Sequence, residues 1–263
     1  MRKMGRRIAM KRIRRIVTAV LMLAMLCAFT LGMASCKKKQ EAPAETPAPT
    51  NDELYEAAVR DAVFADEDEI LPLVNISKDD ENVIWKDGKV LVAFLHKYPD
   101  SYPAGEELTL EWGNVWCVSA GEFYKWVQDN QEGVDNWTLR LMQVMGMPES
   151  KESTTVTALW VDADLLYRPA YVTDPNAGMK NTLQTTGDEE ADAAYKEWFD
   201  GNIIWSYFDS AFPWTRLGYT YDWADNGTEY GLSEFMVPDG SKAVVEYTYP
   251  IDEFAEFAKT AGK

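Results

Sequence analysis

The residues best equipped for chemistry crowd into one stretch. Between positions 195 and 223, eleven of 29 residues are aromatic: Tyr195, Trp198, Phe199, Trp205, Tyr207, Phe208, Phe212, Trp214, Tyr219, Tyr221 and Trp223. So many bulky rings, several with polar tips, are hard to bury completely in a small domain. Phe199 and Phe208 are assigned to the core; the rest either pack there as well, the first reading, or in part line an aromatic binding cleft. Asp209, Asp222, Asp225, Asn226 and Glu229 lie in or beside the stretch. Aromatic faces next to carboxylates and amides suit sugars, whose apolar C–H faces stack while their hydroxyls hydrogen-bond. The candidate ligand-binding residues are Trp214, Asp222 and Trp223. The two tryptophans flank an expected strand, where loops collect function, and Asp222 would orient the ligand.

Other constellations are thinner. Asp222 and Glu234 could face one another across adjacent strands, as the carboxylate pair of a glycosidase must, although sequence cannot give their separation. The turn from Asp222 to Glu229 holds oxygen ligands around Gly227 but lacks EF-hand spacing, so it reads as an acidic turn. One His, and one Cys beyond Cys27 and Cys36, leave no zinc set; no metal or cofactor is expected. His96 reads as a surface or satisfied histidine and Cys117 as a buried, inert thiol. Arg140, Arg168 and Arg216 are expected to anchor carboxylates internally. No G-x-S-x-G, P-loop or dinucleotide glycine pattern occurs.

These residues need a scaffold and an address. Arg2, Lys3, Arg6, Arg7, Lys11, Arg12, Arg14 and Arg15 precede an apolar run from Ile16 to Leu31, the layout of a secretory signal over residues 1–35. Translation from Met10 would give a signal of more ordinary length. The run ends in Met33-Ala34-Ser35-Cys36, which resembles the lipobox of bacterial lipoproteins, with Met33 where that pattern usually has Leu. Cys36 is then the lipidation residue, and the membrane is a partner through this anchor. Two other fates compete. The segment from Ile16 to Ser35 would span roughly 30 Å as a helix, enough for an uncleaved anchor, and plain cleavage would release the chain. Residues 36–50 form the lipidated Cys and a Pro/Ala-rich spacer that cannot bury anything.

From residue 51 to 263 the chain carries 15 basic and 41 acidic residues, a formal charge of −26, so nucleic-acid binding is excluded as a role. This segment reads as one globular domain, with a long insertion near residues 170–190. Thr50 and Glu53 offer a capping box for a first helix ended by the acidic run at 66–69, and Ser119 and Glu122 offer a second box. Asp87-Gly88 marks a hairpin within 82–95. Further strands, or a strand pair, are expected over 106–119, 154–161, 215–221, 230–237 and 242–249. Further helices are expected over 138–145 and 188–208, with a last one after Pro250. Strands cluster early and late without βαβ alternation, which predicts an α+β domain of mostly antiparallel sheet with several packed helices.

The segments KYPDSYPAG (97–105), EWGNVW (111–116), WVDADLLYRP (160–169) and FPWTRLGYTYDW (212–223) are similar to an uncharacterised family of exported bacterial lipoproteins, over most of residues 52–249. The resemblance implies the address and a single domain, and it brings no activity or catalytic residue. The expected function is that of a membrane-anchored, exocytoplasmic binding protein, more non-catalytic than enzymatic, for a glycan, another neutral or cationic ligand, or a protein. The alternatives are a carboxylate-dependent polysaccharide hydrolase and a purely structural envelope protein.

Overall fold

The computed structural model describes residues 48–262. The signal segment, Cys36 and the spacer up to Pro47 lie outside the described residues. The domain is α+β, with five α-helices and an eight-stranded antiparallel sheet. A hairpin joins β1 (Trp85–Lys86) to β2 (Lys89–His96). Its turn residues Asp87 and Gly88 both take positive φ, 50° and 80°, the geometry that matches strand twist in two-residue hairpins. Residues 90–95 of β2 are apolar without alternation because both faces are covered. Val90, Val92 and Phe94 enter one cluster, and Leu91, Ala93 and Leu95 the other.

The other strands are β3 (Glu107–Thr109), β4 (Val115–Ser119), β5 (Thr155–Asp162), β6 (Tyr219–Tyr221), β7 (Tyr230–Val237) and β8 (Lys242–Pro250). They run in the order β3-β8-β5-β2-β4-β7-β6, with β1 beside β2. One face carries α2 (Ala120–Asp129), α3 (Trp137–Val144) and α5 (Ile251–Ala258), which bring Phe123, Leu141 and Phe254 onto Leu91, Val118 and Leu232. Irregular segments cover the opposite face with Val74, Tyr102, Leu110 and Leu166. One extra residue in β8 changes its facing. Ala158 pairs with Tyr247 but Leu159 with Val245, so Val245 and Tyr247 enter different clusters although they are two residues apart.

Several expectations need correction. Thr50 and Glu53 do form a capping box on α1 (Asn51–Asp61), but the helix stops before the acidic run, which makes a separate 3₁₀ turn at Glu67–Glu69. Ser119 caps nothing. Its hydroxyl donates to Asn82 O at 2.5 Å, and Glu122 instead accepts from Ser233 N and Oγ at 2.8 and 3.0 Å. The 106–119 region yields two strands that do not pair with each other: β3 lies on β8, and β4 lies between β2 and β7. The expected 215–221 strand shrinks to β6 because Arg216 and Gly218 both adopt positive φ. The helix over 188–208 is α4 (Glu189–Ile204), continued by a π turn at Trp205–Asp209. Phe199 is buried, but Phe208 at the end of this turn is 77% exposed rather than core. The segment expected as an insertion holds no helix or strand over 166–188 and packs Ala170, Val172 and Met179 against Leu217 and Tyr219.

A candidate ligand site in a forked sheet

The β2–β5 ladder is complete, from Lys89↔Asp162 to His96↔Thr155. By contrast, β2 meets β4 only at Val92↔Ser119 and Ala93↔Val118, and β4 then continues on β7 alone. The sheet therefore forks beyond Ala93. Two adjoining cavities lie at the fork and share Leu95 and Trp116 as lining.

The first is a partly open cavity of about 230 Å³. Its floor is the helical face of the sheet: Leu95, Trp116 and Val118, with Glu234 directly across from Val118 on β7. One wall is the end of α3. There Gly146, in left-handed conformation (φ 66°), donates to Gln143 O at 3.1 Å while Met147 N donates to Met142 O at 2.9 Å. This pair of bonds is a Schellman termination, which turns Met145 and Met147 onto the cavity. The facing wall is the π turn and the chain after it, where Trp205 and Phe212 stack at 5.2 Å. Tyr219 and Tyr221 of β6 complete the ring. Five of the eleven rings flagged in the sequence thus line this cavity, joined by Trp116.

The candidate residues divide. Trp214 lines the cavity; its indole N–H donates to Pro169 O at 2.8 Å and its ring meets Trp116 edge-on. Trp223 is buried away from it, donating to Met147 O at 2.9 Å and packing on Tyr55. Asp222 is also buried. Its carboxylate takes a bidentate pair of bonds from Arg140 at 2.9 and 2.6 Å, and further bonds from Ala224 N and Asn226 Nδ2. Nor do Asp222 and Glu234 face each other. Asp222 N bonds to Glu229 O and Glu234 N to Gly218 O, placing them at opposite ends of the β6–β7 pair. At a rise of about 3.3 Å per residue, the four steps from Gly218 to Asp222 separate them by roughly 13 Å. Arg140 anchors a carboxylate as expected. Arg168 and Arg216 instead donate to backbone carbonyls, Val74 and Pro175 for one and Ala62 and Val63 for the other.

Glu234 is the residue that sequence reasoning underweighted. The residue is partly buried; among the described residues its carboxyl accepts no hydrogen bond and forms no ion pair, and desolvation pushes its pKa up to about 8. It was detectable in principle, because Leu232 and Met236 share its strand face and are both fully buried. A carboxyl between two core residues needs an explanation. Cys117, on the adjacent strand, is buried with its thiol pushed well above the usual range, so it stays protonated. His96 stands outside both cavities with both ring nitrogens engaged, by Thr157 Oγ1 at 2.7 Å and Tyr98 N at 3.1 Å.

The second cavity is a more open cleft of about 640 Å³ between the 98–102 and 110–116 segments. Tyr98 and Trp112 on its rim are 61% and 75% exposed, with Ser101 and Glu111 between them in the lining. Comparison of the chain with protein-family models, curated proteins and solved structures finds no match.

Proposed function

We propose that this chain is an exported bacterial lipoprotein, anchored through Cys36, whose domain binds a small neutral or cationic ligand in the smaller, aromatic cavity without chemically changing it. The basic segment, the apolar run and the Met33–Cys36 motif support the anchor. Lys and Arg before the run keep that side cytoplasmic, so the domain faces outward. One observation carries the binding role: a carboxyl without a partner, set among six aromatic rings in a cavity. Glycoside hydrolysis needs two carboxyls, and Glu234 is the one in this lining. A second reading, a glycan in the open cleft, is favoured by the exposed faces of Tyr98 and Trp112.

The test is a thermal-shift screen of the full-length protein in a neutral polyoxyethylene detergent, against sugars, alcohols and amines. A ligand that binds the native state raises the melting temperature by mass action. Trp214→Ala should abolish the shift, whereas Trp223→Ala should keep it while costing about 3–5 kcal/mol of stability. A screen that is blank throughout, or a shift that survives Trp214→Ala, would sink the cavity as the site.

A further inference from the structure

We propose that the smaller, aromatic cavity takes an organic cation, an ammonium head on a small apolar body, with the head against the tryptophans and beside Glu234. This rests on the reading of the cavity as a binding site and names its ligand class. Trp116, Trp205 and Trp214 all line the cavity, and tryptophan offers the strongest ring face to a cation. The ammonium also supplies the partner that Glu234 lacks. A sugar fits this cavity poorly, because its hydroxyls would find few free groups. The Thr220 hydroxyl already donates to Val144 O and accepts from Leu232 N. The long-range field agrees, since a domain of charge −26 concentrates cations at its surface.

Binding of this kind expels a proton. Desolvation raises Glu234 to about 8 and so favours its neutral form near pH 7, whereas a bound cation favours the carboxylate. The other titratable groups around it are Cys117 from β4, Tyr195 from α4, and Tyr219 and Tyr221 from β6. Burial raises each of them, so all stay neutral through this range. Lys151, over the Phe212 ring at 5.1 Å, and Asp61, which accepts from the Tyr221 hydroxyl at 2.9 Å, are charged groups beside the lining.

Choline and its uncharged carbon isostere 3,3-dimethylbutan-1-ol provide the test, titrated into the full-length protein in polyoxyethylene detergent and followed by tryptophan fluorescence and calorimetry. At pH 8 choline should bind at least tenfold more tightly than the alcohol. Its affinity should fall by close to tenfold per pH unit below that, because each unit makes the carboxylate about tenfold scarcer. Near pH 7 the heat should vary with the ionisation enthalpy of the buffer, reporting the released proton. Glu234→Gln should remove the pH dependence and shrink the preference to what the tryptophans alone supply, with its melting temperature verifying the fold. If the alcohol binds as well as choline, or choline's affinity is flat with pH or indifferent to Glu234→Gln, the cation assignment is wrong while the cavity remains a binding site. If neither probe binds and the broader screen is also blank, both readings fall together.

Discussion

The two ends of the β6–β7 pair each carry an inward-facing carboxyl, Asp222 buried and Glu234 partly buried, and the fold treats them in opposite ways. At one end Asp222 accepts four hydrogen bonds, two of them from Arg140. At the other end Glu234 accepts none and looks onto aromatic rings. Burying a charge is costly unless it is paired, so the Asp222 end is what a structural carboxylate requires. At the Glu234 end desolvation raises the carboxyl to about 8 with no bonding partner beside it, the combination that marks a candidate functional group. A buried acid that is fully bonded marks architecture, and one left open to a cavity marks a site.

The largest expected effect comes from breaking the satisfied end. Arg140→Met leaves Asp222 as an orphaned buried charge and also removes the guanidinium from the Trp126 face, 4.6 Å away. Such a loss typically costs about 3–5 kcal/mol. Urea denaturation should show it, and adding Asp222→Asn should recover part of the loss because the stranded charge is gone. If Arg140→Met unfolds at the wild-type urea concentration, Asp222 is not structural and the contrast between the two ends collapses.

Glu234→Gln should act in the other direction and depend on pH. The carboxyl ionises near 4.5 when unfolded but near 8 in the fold. Its contribution is therefore complete below pH 4.5 and is lost as pH rises to about 8. Glu122, pushed up to about 7 by burial, works in the same direction and is unchanged in the variant. Allowing for solvent in the cavity, Glu234→Gln should gain on the order of 2 kcal/mol over wild type between pH 5 and pH 7.5. Parallel stability curves for the two proteins would mean that Glu234 is charged and partnered after all.

How much of this was legible depended on whether the signal was local. Asp87-Gly88, the Thr50 capping box and the 230–237 strand were readable because their causes lie within a few residues. The aromatic stretch left core packing and a cleft both open, and it could not say which rings would face a cavity. Trp214 and Trp223 flank the same short strand, and what separates them is distant in sequence: Trp116 and Pro169 against Met147 and Tyr55. The fork is invisible in β2, whose apolar run gives no sign that its β4 ladder stops after two pairs. Ser119 and Glu122 had the spacing of a capping box, but Asn82 and Ser233 offered both side chains tertiary partners instead.

His96 sharpens the contrast with the smallest effect. Its Nδ1 accepts from Tyr98 N–H, so the neutral ring carries its proton on Nε2 and donates to Thr157 Oγ1. Thr157 can then donate to Thr248 Oγ1, which donates to Tyr102 O. Every proton in this chain has a place, as at Asp222, and a second proton on the ring would break the bond from Tyr98. Burial against Phe94 and Tyr102 lowers the pKa to about 4, from 6.5 when unfolded. Because the folded value is the lower one, this contribution is complete above pH 6.5 and is lost as pH falls toward 4, opposite in sign to Glu234. The ring is only half-buried, so screening reduces the effect to about 1 kcal/mol between pH 7 and pH 5. His96→Gln, which cannot titrate, should flatten the acid limb by that amount. As the chain's single histidine, its ring proton resonances report the titration directly. A midpoint near 6.5 in the folded protein would show the ring free in solution and the hydrogen-bonded chain absent.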